Sequence, residues 1–181
     1  RTGNKEEAIR LFRQSAAMRE TIGDAKGLAA VYGNLVTAFS SLGRLDSAYH
    51  YQQLAVSNAE KTGVKNILAQ SLTNQAVLLT RRQEYQQALA IEEKAVSLYR
   101  EMGDQLKIGN RYLSMAGISD KLKDSAAAEN YFRQAAAVAA QLQNKPLFQN
   151  MYSARSAFYT GRQNYVAAME DYKKYVLYKD S

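Results

Sequence analysis

The sequence has no cysteine, one proline (Pro146) and one histidine (His50). The missing cysteines exclude a disulfide framework and a thiolate zinc site, and leave the redox compartment open. With a single proline in 181 residues, little in the chain forbids helix. Its plentiful Ala, Gln, Leu and Tyr are mostly tolerated there. No secretory signal pattern opens the chain, and no apolar run approaches the length that crosses a bilayer, so this stretch itself is expected to make no membrane contact.

Catalytic patterns are missing as well. There is no Gly-x-Ser-x-Gly turn, no Gly-rich phosphate loop and no His-Glu-x-x-His pair. His50 stands one helical turn after Asp46, the spacing of a surface pair, and no second histidine exists to share a metal with it. Glu92-Glu93 and Glu170-Asp171 are adjacent acids. On a helix such neighbours point about 100° apart and form no carboxylate pair. Arg81-Arg82 reads as the polar end of a helix, and Tyr165, Tyr172, Tyr175 and Tyr178 as core and end-cap packing at helical spacing. No catalytic, cofactor or metal site is expected. The net charge of +7 is scattered along the chain among 17 acids, unlike the concentrated basic face of a nucleic-acid binder.

What is present is a period of forty. Alanine recurs at Ala8, Ala48, Ala88, Ala128 and Ala168. A second series holds Ala55, Ala95 and Ala135, with Ser15 and Tyr175 at its ends. Gly23, Gly63 and Gly103 form a third, completed by Gln143. Tyr32, Leu72, Tyr112 and Tyr152 form a fourth, and Leu35, Gln75, Met115 and Arg155 a partly polar fifth. Between these marks apolar residues step by three and four, as in Leu28, Val31, Tyr32, Leu35, Val36 and Phe39. The spacing predicts helices at 5–21, 26–41, 45–61, 66–81, 85–101, 106–121, 125–142, 146–160 and 165–179. Each unit is thus two helices, with alanine where they approach most closely. One unit cannot bury its apolar face alone, so the units must stack. Gly103-Asp104, which could pass for a loop with chemistry, falls at a seam between units: glycine for a left-handed helix exit, Asp24, Asp104 and Asn144 as caps for the next helix. Val64 breaks that series.

These positions resemble the tetratricopeptide repeat. "YGNLVTAF" with Ala48 and Ala55 matches its pattern, as does "YTGRQNYVAAMEDY" around Tyr165, Ala168 and Tyr172. The family's usual unit is 34 residues. The longer unit here, without a proline after the second helix, looks like the variety found in bacterial signalling proteins, peptide-pheromone receptors and cell-polarity adaptors. The resemblance implies an all-α, right-handed α-α superhelix of about four and a half repeats: a half repeat over 1–24, then 25–64, 65–104, 105–144 and 145–181, in one domain. The third unit is degenerate, with Ser119 and Ser125 where aromatics are expected, which predicts looser packing there. The ending "YKKYVLYKDS" is similar to the segment closing the repeat array in many bacterial sensor histidine kinases. The chain opens within a repeat and stops without a glycine cap, so it is expected to be a piece of a longer protein.

In the family register, first helices line the concave side. Its rows would be Ala30, Gln70, Asn110 and Asn150; Asn34, Asn74, Ser114 and Ala154; and Thr37, Val77, Gly117 and Ala157, with Arg81 and Lys121 toward the helix ends. The candidate peptide-binding residues are Asn34, Thr37, Gln70, Asn74, Arg81, Asn110, Ser114, Lys121 and Asn150. Amides suit an extended peptide, because each both donates and accepts. Family members clamp ligand backbone with asparagines at the positions of Asn34 and Asn74; the alternative is that these two only bond neighbouring helices. The clamp for carboxylate-ended peptides needs cations where Ala30, Gly33, Gln70 and Thr73 stand, so that ligand class is disfavoured.

The leading expectation is a non-enzymatic module that binds a protein or extended peptide, as the sensing region of a bacterial signal-transduction protein. The alternative is a soluble intracellular adaptor or part of a peptide-responsive transcription regulator. RNA binding ranks lower, because it needs a continuous basic groove. The first reading implies a periplasmic location, the second a cytoplasmic one.

Overall fold

The computed structural model describes residues 3–179, so Asp180 and Ser181 of the closing segment lie outside the described residues. Among the described residues there are nine helices and no strand. They are α1 (Gly3–Thr21), α2 (Ala25–Ser41), α3 (Leu45–Lys61), α4 (Lys65–Arg81), α5 (Tyr85–Glu101), α6 (Gln105–Lys121), α7 (Ser125–Gln141), α8 (Lys145–Thr160) and α9 (Tyr165–Lys179). Every helix anticipated from the apolar spacing is there, with bounds within two residues of those expected.

The helices end alike because every turn is built alike. A left-handed residue follows each of α1 to α8: Gly23, Gly43, Gly63, Gln83, Gly103, Lys123, Gln143 and Gln163, with φ between 48° and 73°. At seven of the eight turns, the next backbone N–H reaches back to a carbonyl five residues earlier. Asp104 N to Tyr99 O, at 3.0 Å, is one example. This bond satisfies a carbonyl that the helix end would otherwise leave open. The exception is after α3, where the Val64 N–H donates to Thr62 Oγ1 at 3.1 Å. The next helix then starts on a cap. The side chains of Asp24, Asp104, Asp124 and Asn144 accept from the N–H three residues on, at 2.8–3.0 Å. Val64 offers no such side chain.

The helices pack into two compact units, one ending at Leu98 and one beginning at Tyr99. In the first, α1 packs on α2, α2 on α3 and α3 on α4, and α4 also lies beside α2. Ala48 and Ala55 from α3 meet Leu28, Tyr32, Leu35 and Phe39 from α2 in its core. In the second unit, α6, α7, α8 and α9 pack in succession, and α8 also lies beside α6. Ala128, Phe132, Ala135, Met151 and Phe158 form its core. All the alanines of the two main series from Ala48 onward are at most 6% exposed.

In the degenerate third unit, polar contacts stand where the expected aromatics are missing. Ser119 is fully buried, with no hydrogen bond at its hydroxyl. The guanidinium of Arg162 lies 3.8 Å over the Phe158 ring, donates to Ser125 Oγ at 2.8 Å and pairs with Asp120 at 2.6 Å. Arg162 thus occupies the space an aromatic at position 125 would take. The polar Arg155 is likewise matched by buried Asp171, through two hydrogen bonds of 2.7 and 2.8 Å. The C-terminal tyrosines divide. Tyr178 stacks on Phe148 and Tyr152 as expected, but Tyr165 and Tyr172 are 65% and 54% exposed. Tyr172 stands in the register of Gln52, Glu92 and Phe132, all of which are buried. Asp46 does not pair with His50: its carboxylate meets Arg82 at 2.8 Å.

Two substitutions test this framework. Ala88→Leu, at a fully buried site, should overpack the helix contact and cost about 1–3 kcal/mol by chemical denaturation; an unchanged midpoint would refute the register. Val64→Asp should supply the missing cap and raise stability by about 1 kcal/mol, read as a higher melting temperature.

Candidate functional site

In the first unit, α2 and α4 run side by side and leave a cleft between them. Its two overlapping halves measure about 410 Å³ each. One half is lined by residues including Lys26, Ala30, Asn34, Ile67, Gln70 and Asn74. The other includes Val36, Ser41, Val77, Leu78 and Arg81, and Gly33, Thr37 and Asn74 belong to both. Residues forty apart share each stretch of the cleft, Ala30 with Gln70 and Ser41 with Arg81, so the two helices are parallel and in register. Two 17-residue helices give a cleft about 25 Å long.

Five of the nine residues expected from the sequence meet here: Asn34, Thr37, Gln70, Asn74 and Arg81. All five are exposed. Among the described residues, the side-chain amides of Asn34, Gln70 and Asn74 have no hydrogen-bond partner, which runs against the reading that the two asparagines serve neighbouring helices. Thr37 Oγ1 donates to Gly33 O at 3.2 Å within its own helix.

The other four lie in the second unit. Asn110 donates its amide to Leu106 O at 3.0 Å, one turn back on α6, and so offers less to a ligand. Ser114 is half-buried on α6, and Lys121 and Asn150 are exposed on α6 and α8.

Among the lining residues that the sequence reading did not count as binding groups are Lys26, Val36 and Gly33, the last noted only as a position without the clamp cation. Gly33 has the clearest consequence. A Cβ built there would meet nothing within 4 Å, so the absence of a side chain keeps the middle of the cleft open. The only signal was its position, one turn before Thr37 and forty before Thr73.

A second cleft, of about 240 Å³, lies among α1, α2 and α3 and contains His50. Four of its polar groups pair with one another. Arg13 Nε donates to Tyr51 Oη at 3.0 Å and stacks over Phe39, and the Tyr32 hydroxyl donates to Glu20. Burial, followed by that Glu20 carboxylate, pushes the Tyr32 hydroxyl up to about 12. Among the described residues, no three His, Cys, Asp or Glu side chains cluster to hold a metal. No helix among them is long and apolar enough to cross a membrane.

The first unit is thus a helical repeat with an open cleft between successive first helices. Residues 27–101 match the tetratricopeptide repeat family model. That match covers part of the chain, and solved structures share the fold over almost all of it. A Podosopora anserina structure of nearly identical tetratricopeptide-like repeats is 16% identical and superposes with a TM-score of 0.80, over 98% of this chain and 88% of that one. A Rap protein complexed with competence and sporulation factor is 20% identical, with a TM-score of 0.72 over 97% of this chain and 49% of that one. A signal transduction ATPase with a tetratricopeptide repeat sensor, from Pyrococcus horikoshii, is 21% identical, with a TM-score of 0.75 over 83% of this chain and 23% of that one. No curated protein matches the chain at a significant level. The fold is therefore an all-α helical repeat of the solenoid class.

Because Gly33 is exposed to the cleft and unconstrained by neighbours, Gly33→Phe should fold normally. Its melting temperature should be unchanged or higher, since phenylalanine is the better helix former by up to about 0.5 kcal/mol. A large loss of helicity by circular dichroism would contradict the open geometry at this position.

Proposed function

We propose that the chain binds an extended protein or peptide segment in the cleft between α2 and α4. The observation that carries this reading is the row of unpartnered amides on Asn34, Gln70 and Asn74 along an exposed cleft. Each amide can donate to a ligand carbonyl and accept from a ligand N–H. A surface that leaves them unpaired is suited to a partner with regularly spaced backbone groups. The other expected residues, Asn110, Ser114, Lys121 and Asn150, belong to the second unit and stand apart from this proposal.

The physiological setting we favour is the sensing region of a bacterial signal-transduction protein. It is supported by the similarity of "YKKYVLYKDS" to the close of sensor-kinase repeat arrays. It is also supported by likeness to a protein with a tetratricopeptide repeat sensor and to a Rap protein complexed with a factor. In that setting the coding sequence beyond Ser181 should encode a membrane span and a histidine kinase domain; a DNA-binding domain there would favour a transcription regulator instead.

The cleft itself is tested by affinity capture with the 181-residue chain as bait. The double variant Gln70→Ala, Asn74→Ala should lose the captured partner while keeping its circular dichroism spectrum, and Gly33→Phe should block the same partner by bulk. Full retention by both variants would move the site away from this cleft.

A further inference from the structure

The two ends of the α2/α4 cleft are both cationic, and no acid lines it. Lys26 lies at the end where α2 and α4 begin, and Arg81 at the end where they finish. At the Arg81 end, Lys5 Nζ also donates to Ser41 O, at 3.2 Å. Among the described residues Arg81 has no ion pair. The acid beside Lys26 in sequence is Asp24, and its carboxylate already accepts from the Gly27 N–H and pairs with Arg19. The helix starts add positive partial charge at the Lys26 end.

Between the ends the lining is uncharged. Asn34, Gln70 and Asn74 offer amides, and Val77, 44% exposed, offers apolar surface above the buried Val36 and Leu78. A cleft about 25 Å long matches about seven residues of extended chain at about 3.3 Å each.

Building on the proposed peptide-binding cleft, we infer that its occupant is an extended internal segment of about seven residues with an acidic side chain at each end and small apolar side chains between. One carboxylate meets Lys26 and the other Arg81, the amides hold the backbone, and an apolar side chain rests on Val77. Two cations separated by the length of the cleft do not form the continuous basic row that a nucleic-acid backbone needs.

The test uses the 181-residue chain and the fluorescein-labelled peptide Glu-Ala-Val-Ala-Val-Ala-Glu, which reads the same in both directions. Its partner probe has Gln in place of both Glu residues. In low salt, anisotropy should give the Glu peptide about fivefold tighter binding, the size expected of two largely exposed ion pairs. That preference should shrink in Lys26→Gln and in Arg81→Gln, vanish in the double variant and fade with added salt. Equal affinity of the two peptides for the wild type would overturn the inference. If Gln70→Ala, Asn74→Ala then weakened both, the peptide-binding cleft would still stand. A preference that persisted in the Lys26, Arg81 double variant would also overturn it. Tighter binding of decauridine than of either peptide, or no peptide binding up to millimolar concentration, would overturn both readings.

Discussion

Everything in this fold depends on two helices coming close enough for their backbones to be neighbours, and only a methyl side chain allows that. Ala48, Ala88 and Ala128 are fully buried for this reason. A methyl contributes little apolar area, so burial energy comes from the large residues that the close approach brings together. Phe39, Phe132, Met151 and Phe158 are at most 4% exposed. Each such side chain contributes about 1.5–3 kcal/mol when fully buried. The same spacing holds α2 beside α4 as its next-nearest helix. Their outer faces then need no residues for packing, which leaves them available for amides.

Where the apolar pattern lapses, the structure substitutes paired charge for hydrocarbon. Arg155 and Asp171 form a bidentate pair with the aspartate buried, and Arg162 covers Phe158 while holding Asp120 and Ser125. Such pairs gain little over a well-packed apolar core, but removing one partner strands the other. The second unit therefore has positions where a single polar-to-apolar change is worse than either the pair or its absence.

Much of the fold was legible because packing repeats itself in the sequence. The alanine series marked the helix contacts, and Gly103-Asp104 marked a seam whose glycine is left-handed, φ 72°, and whose aspartate caps the next helix. The matching geometry at Gln83, Lys123 and Gln163 left no such mark. A glutamine or lysine can adopt the left-handed conformation at a cost of roughly 1–2 kcal/mol, and side chains that tolerate it carry no signature. The candidate site was half legible for the same kind of reason. Asn34, Gln70 and Asn74 stood out as amides in register, but Lys26 and Gly33 occur once each and produce no periodicity. That Asn110 bonds its own helix depends on a rotamer, which sequence does not encode.

The turns carry one more consequence. Left-handed residues recur every twenty positions, from Gly23 to Gln163, whereas the side-chain pattern recurs every forty. To the backbone, one helix and its turn are a complete unit; to the core, only two are. A recombination event that inserted or removed a single helix with its turn would join without backbone strain, yet it would rotate the outward amides into the apolar core and the alanines into solvent. Arrays of this kind can therefore change length only in whole pairs, and each added pair supplies one more first helix, hence one more row of outward positions. In such a protein, stability and the length of that outward face are inherited together.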